Sequence, residues 1–168
     1  MGQNAQKMEK VMSLLFEHPE RSFKIREISK KTNIPKTTVQ RYLKNLKKQK
    51  IVNKENKLIV NEYTKFLKAS ALIKKTYCTG LITYLEQKLT PQVIIIFGSV
   101  RKGEYDKESD IDLFIESTKR TEIDISAFEK KLKHKLQLFI ESDIHNLPKE
   151  LFNNVLNAIK LSGYLKVK

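Results

Sequence analysis

The 168-residue chain has no tryptophan, one cysteine, four prolines and five glycines. A single cysteine, Cys78, excludes an internal disulfide, and the thiol reads as a small buried apolar residue. No apolar run approaches the roughly 20 residues that a membrane-spanning helix needs. The first residues, among them Gln3, Asn4, Gln6 and Lys7, are too polar for a signal segment. The expectation is a cytoplasmic protein with no membrane partner. Internal repeats and low-complexity tracts are absent, and 40% hydrophobic against 31% charged residues exclude a disordered chain. No Gly-x-Gly-x-x-Gly occurs. Gly98 and Gly103 have Walker A spacing, but Glu104 and Tyr105 follow where Lys and Ser/Thr are needed. The histidines, His18, His134 and His145, have no metal-ligand spacing, and surface roles are expected for them.

Acidic residues are scarce in one half only. Residues 1–90 hold 20 Lys+Arg against 7 Asp+Glu, a net of +13, whereas residues 91–168 hold 13 against 12, a net of +1. The overall charge of +14 is therefore local, which points to a polyanion partner for the first half and a different task for the second.

Apolar periodicity predicts a helix from Met8 to His18, a second from Ile25 to Lys31, and a third from Pro35 to about Lys50 with Val39, Tyr42, Leu43 and Leu46 inward. Ile51-Val52 and Leu58-Ile59-Val60 flank a polar tip, the pattern of a hairpin. Residues 62–89 read as one or two linking helices broken near Thr79-Gly80. Beyond Pro91, strands are expected at Val93–Phe97, Ile111–Ile115 and Leu136–Ile140. Helices are expected at Glu122–Leu132 and Pro148–Leu161, and a last strand at Tyr164–Val167. The expected fold class is α+β, with domains at residues 1–61, 62–90 and 91–168.

Three helices and a hairpin follow the order of a winged helix-turn-helix. The segment Ile25-Arg-Glu-Ile-Ser-Lys-Lys-Thr-Asn-Ile-Pro-Lys-Thr-Thr-Val-Gln-Arg-Tyr-Leu-Lys-Asn-Leu-Lys-Lys-Gln-Lys-Ile-Val52 resembles that family, the likeness covering about residues 8–61. The usual glycine before the wing is replaced by Lys50. With Val39, Leu43 and Leu46 on one face, Lys36, Thr37, Gln40, Arg41 and Lys44 occupy the others. The resemblance implies that this helix enters the major groove of double-stranded DNA, Gln40 and Arg41 toward base edges and the lysines toward phosphates. Wing residues Lys54 and Lys57 would add backbone contacts, which set affinity rather than sequence preference.

The second half carries Phe97-Gly98-Ser99-Val-Arg-Lys-Gly103-Glu-Tyr-Asp-Lys-Glu-Ser109-Asp110-Ile-Asp112-Leu113. A strand, Gly-Ser, about ten residues and Ser-Asp-x-Asp-Leu resemble the signature of the polymerase-beta nucleotidyltransferase superfamily, especially its minimal members. Asp110 and Asp112, two apart on a strand, share a face. They are the expected catalytic pair and the expected ligands of Mg²⁺ or Mn²⁺ bridging the phosphates of a nucleoside triphosphate. Gly98, Ser99, Arg101, Lys102 and Ser109 are the candidate nucleotide-binding residues, with Ser99 at a helix N-terminus.

Transferases of this superfamily use a third carboxylate on a later strand, and in Leu136-Gln137-Leu138-Phe139-Ile140 the matching position is Gln137. Glu141 lies four residues on, roughly 13 Å away, and Asp143 lies beyond the strand. The first reading is a DNA-binding transcriptional regulator, a homodimer, whose nucleotide domain is weakly active or inactive. The alternative is an active transferase passing a nucleoside monophosphate to nucleic acid, protein or a small molecule. A third is an antitoxin-like module with a partner protein.

Overall fold

The computed structural model describes residues 2–166, which form two compact units divided between Leu67 and Lys68. In the first unit α1 (Gln3–Glu17), α2 (Ile25–Thr32) and α3 (Lys36–Lys48) supply one apolar core. Val11, Leu15, Phe16, Ile28, Val39, Leu43 and Leu46 are all buried, and Tyr42 is 7% exposed. Each large aliphatic or aromatic side chain so buried is worth about 1.5–3 kcal/mol. Helix α1 begins five residues before the predicted start, and its first turn is tied down where the Tyr42 hydroxyl donates to the Asn4 carbonyl at 3.1 Å.

The turn between α2 and α3 is set by Asn33, whose φ of 55° is a left-handed conformation that Asn tolerates. The Ser29 hydroxyl donates across it to the Ile34 carbonyl at 2.6 Å. Pro35 then precedes α3 with φ −54°. The predicted hairpin contracts to a single antiparallel bridge, Val52↔Leu58. Its tip is held by backbone and side chains together: the Asn53 amide donates to the Lys57 carbonyl, the Asn53 side chain accepts from the Lys57 amide, and Asn56 donates to the Phe23 carbonyl, all at 2.9 Å. Lys50 takes up φ 57°, so it adopts the conformation for which glycine is usual there.

Helix α4 (Glu62–Cys78) and α5 (Leu81–Leu89) are separated by Gly80 at φ 80°, and Cys78, expected in the interior, is exposed at the end of α4. In the second unit, strands β1 (Val93–Phe97), β2 (Ile111–Glu116), β3 (Leu136–Glu141) and β4 (Ile159–Gly163) form one sheet in the order β3-β2-β1-β4. β1 is antiparallel to both β2 and β4, and β2 is parallel to β3. Helix α6 (Gly98–Lys102) follows β1, α7 (Ser126–Leu132) joins β2 to β3, and a 3-10 turn (Ile144–Asn146) precedes α8 (Lys149–Leu156). All five residues of β1 are buried, as a strand covered on both faces requires. Val93, Ile95, Phe97 and Phe114 pack with Ile144, Leu147 and Val155 on one of those faces.

Three predicted elements are corrected. The helix expected over Glu122–Leu132 begins only at Ser126, where the Asp124 carboxylate accepts from the Ser126 amide at 3.0 Å. The helix expected over Pro148–Leu161 ends at Leu156, and Ile159–Gly163 is a strand. Leu156 and Ile159 suit a helix, but Ile159 and Leu161 also alternate, and the open edge of buried β1 needs backbone partners. Gly163, at φ 74°, lies so close to Gln92 that a Cβ would sit 2.0 Å from its carbonyl oxygen. Tyr164–Lys166 has no regular structure, and Val167 lies outside the described residues.

Candidate nucleotide and nucleic-acid sites

The Gly-Ser bend and the acid pair meet at one end of the sheet. Phe97, the last residue of β1, is opposite Asp112 in the β1–β2 register. The chain then turns at Gly98 (φ 68°) into α6, and a Cβ on Gly98 would stand 2.0 Å from the Asp112 Oδ2. Glycine is required twice over, by the left-handed backbone and by the acid beside it. Ser99 follows at the start of α6, where amides lack helical acceptors. Arg101 and Lys102 are exposed in its last turn, where cations suit the carbonyl end of a helix.

Asp110 is exposed just before β2 and Asp112 is half-buried within it. Burial, and secondarily the charge of Asp110, raises the Asp112 carboxyl above its ordinary value. A dication would relieve both. No group of three or more His, Cys, Asp or Glu side chains that could hold a metal ion occurs among the described residues. A pair of carboxylates nevertheless fits Mg²⁺, which takes one or two from protein and completes its shell from phosphate and water. Asp110 and Asp112 are the residues that could hold it.

Gln137 lies directly beside Asp112 in the parallel β2–β3 register, and it is exposed. An amide therefore occupies the position adjoining the acid pair. Glu141 is paired with Glu116 at the far end of the same strands. Asp143 lies beyond β3 and bonds through Oδ1 to the His145 Nδ1 at 2.7 Å.

The loop before Asp110 is held from three sides; a role for Ser109 in orienting the strand entry was legible in the sequence, and the distant partners were not. The Ser109 hydroxyl accepts from the Asp106 amide at 2.9 Å and donates to the Asp106 carboxylate at 3.0 Å, which holds that carboxyl below its usual range. Ser109 thus shapes the strand entry, and its hydroxyl is engaged within the loop. His134, expected at the surface, is 6% exposed, and its Nδ1 donates to the Ser109 carbonyl at 2.7 Å. Its ring meets Tyr105 edge-on at 5.8 Å. Lys68, 4% exposed, donates to the Tyr105 carbonyl at 2.6 Å, and the Tyr105 hydroxyl donates back to the Lys68 carbonyl at 3.1 Å. These partners are 25 to 37 residues apart in the chain, beyond the reach of periodicity.

In the first unit Lys36, Thr37, Gln40, Arg41 and Lys44 are exposed on α3, opposite Val39, Leu43 and Leu46. The first turn of α3 has no acidic residue to repel an anion and no side-chain cap, and its Thr38 and Val39 amides donate to the Pro35 carbonyl at 3.0 Å. Lys54 is exposed, and its carbonyl accepts from the Lys47 ammonium at 3.0 Å. Lys57 is half-buried and pairs with Glu20 at 2.7 Å, which neutralises part of its charge.

Comparison with known proteins accords with both halves. The model for the bacterial regulatory protein arsR family matches residues 6–54. The model for the nucleotidyltransferase domain matches residues 78–162, or 85 of the 168 residues. No curated protein and no solved structure matches significantly. Among the described residues no helix is long and apolar enough to cross a membrane. With an arsR-type helix-turn-helix ahead of a matched region that spans half of its length, the chain belongs to the nucleotidyltransferase domain family.

Proposed function

We propose that this chain is a cytoplasmic, DNA-binding transcriptional regulator whose nucleotidyltransferase domain binds a nucleoside triphosphate with Mg²⁺ or Mn²⁺ and transfers it slowly or not at all. The domains assigned are residues 1–61 for DNA, 62–90 as linking helices and 91–168 for the nucleotide. The carrying observation is the register of Gln137 beside Asp112. A neutral amide accepts no proton from an acceptor hydroxyl and offers a dication no full charge, so binding survives where chemistry does not. Gly98, Ser99, Asp110 and Asp112 would hold the nucleotide and its ion. The exposed face of α3 would enter the major groove, and a homodimer would present two such helices to paired half-sites.

The test incubates the protein with labelled ATP, Mg²⁺ and candidate acceptors. The expected result is bound nucleotide without label transfer. Transfer that vanishes in Asp110→Ala and in Asp112→Ala would replace the regulator with the transferase. That second reading is favoured by the close approach of Gly98 to Asp112, which active sites of this kind need as well. In a gel shift, failure to bind any duplex even at low salt would remove the DNA-binding half of the reading.

A further inference from the structure

The sheet of the second unit ends in two edge strands, β4 and β3, and they are built differently. The β4 edge is blunted. Its register with β1 breaks between Ile94 and Ile95, Lys160 interrupts its apolar run, and the Tyr77 hydroxyl donates to the Leu161 carbonyl. Each of these discourages a further strand. β3 instead carries Leu138-Phe139-Ile140 with no charge, proline or bulge, and all three side chains are only partly buried.

Strand pairing decides which backbone groups of β3 are open. The Ile111 and Ser117 amides donate to the Lys135 and Glu141 carbonyls at 2.9 and 2.8 Å, so the odd-numbered residues of β3 turn their backbone toward β2. The N–H and C=O of Leu136, Leu138 and Ile140 therefore point outward. The Leu136 amide is taken by the Glu129 carboxylate at 2.9 Å. Among the described residues nothing hydrogen-bonds the outward groups of Leu138 and Ile140. Charge runs one way along this edge, from Lys133 and Lys135 at its start to Glu141 and Asp143 at its end. Glu141 has no ion pair among the described residues, and Lys135 reaches Glu129 only at 3.7 Å. Parallel pairing of two such edges sets like charges together, whereas antiparallel pairing sets each cationic end beside an acidic one.

We propose that β3 pairs with itself: two copies of this chain join β3 to β3, antiparallel, across a dyad at Phe139, and their four-stranded sheets become one of eight strands. That dyad matches the open residues to each other, Leu138 to the partner's Ile140, and uses every outward group of both. It sets Phe139 against the partner's Phe139 in a non-hydrogen-bonded pair, the closer of the two kinds. Gln137 faces the partner's Glu141, and Lys135 faces the partner's Asp143 with the partner's Glu141 on the diagonal. Gln137 thereby gains a carboxylate to donate to, which gives an amide a use at the position beside Asp112. The inference rests on the homodimer of the reading above and supplies its interface; it needs neither DNA nor nucleotide.

The experiment is sedimentation of the whole chain over a concentration series, without DNA or nucleotide, and a reversible monomer–dimer equilibrium is expected. Ile140→Pro removes an outward amide and no bond to β2, and should weaken the dimer about tenfold or more. Lys135→Glu should weaken it about tenfold, and adding Glu141→Lys should restore it. Circular dichroism should show all three variants folded; if Ile140→Pro is not, the charge reversal decides. In a Cys78→Ser background, Gln137→Cys with Glu141→Cys should give a covalent dimer under mild oxidation, and either alone should not. Only a dyad at Phe139 brings position 137 opposite position 141 of the partner, and within one chain the two are roughly 13 Å apart. A monomer at every concentration, a dimer that these substitutions leave unchanged, or cross-linking through one cysteine alone overturns the proposal. An unchanged dimer would still leave the homodimer of the regulator reading standing on another face. An intact β3 dimer that binds no duplex would instead defeat the DNA half of that reading.

Discussion

The sites proposed in the two units of this chain are built in opposite ways. On α3 the relevant groups are exposed, carried on a face whose reverse side is packed with Val39, Leu43 and Leu46. At the end of β1 and β2 the groups are short and fixed by backbone: Gly98 touches Asp112, and strand register decides what stands beside it. The first arrangement suits a polyanion read over a broad surface, where each cation adds a little. The second suits one ion and one phosphate chain, where a displacement of an ångström matters. Single substitutions should therefore act sharply in the second unit and gently in the first.

The largest effect is expected from Gly98→Ala. Its Cβ would meet the Asp112 Oδ2 at 2.0 Å, and the left-handed backbone alone costs about 1–2 kcal/mol for a residue with a side chain. Calorimetry should find Mg²⁺-ATP binding abolished, and urea unfolding should give a clear loss of stability. Binding at wild-type strength would show that the bend does not meet the nucleotide.

Gln137→Asp is next. A carboxylate set beside Asp112 should raise label transfer on the order of tenfold or more in Mg²⁺. An unchanged rate would mean that the amide is not what limits the chemistry.

Asp112→Asn should both weaken metal-dependent binding and alter pH dependence. The folded-state pKa of Asp112 is raised, so between its unfolded value near 3.8 and the folded value the unfolded chain holds fewer protons. Stability thus falls as pH rises through that window and is regained on acidification. Glu116, 7% exposed with an unpartnered Oε2, is raised first by burial and then by Asp143, against an opposing effect of His145, and it acts in the same direction. Relative to wild type, the Asn variant should gain stability as pH rises through the window. Urea titrations of the two proteins read this difference directly, and parallel curves would refute it.

The DNA unit should yield smaller changes. Arg41→Ala is expected to cost about 1–3 kcal/mol and relax sequence preference, and Lys44→Ala to lower the salt slope by about 1. Lys57→Ala should do less than Lys44→Ala in a salt-dependent gel shift, because Glu20 already offsets its charge. Equal effects would blur the contrast between a free cation and a paired one.

How much of this was legible in the chain varied with the range of the interaction. Helices α2, α3 and α5 and strands β1 and β2 follow from local periodicity, since burial of one face or of both decides them. The C-terminal strand did not: Ile159–Gly163 suits two periods, and only the open edge of β1 selected the strand. The acid pair and the bend were visible because Gly98-Ser99 and Asp110-x-Asp112 are local motifs. The buried Lys68 and His134 that hold the intervening loop were not, because their partners lie far along the chain.

By itself, then, the order of residues determined a cationic helix-turn-helix, a glycine bend and two acids spaced to share a strand face, all of which depend on neighbours within a few positions. Tertiary structure alone decided that Gly98 abuts Asp112, that Gln137 stands beside the same acid, and that β3 is left with an open edge. Those relations are set by strand pairing and by the β2–α7–β3 crossover, which bring together segments that local patterns treat as independent.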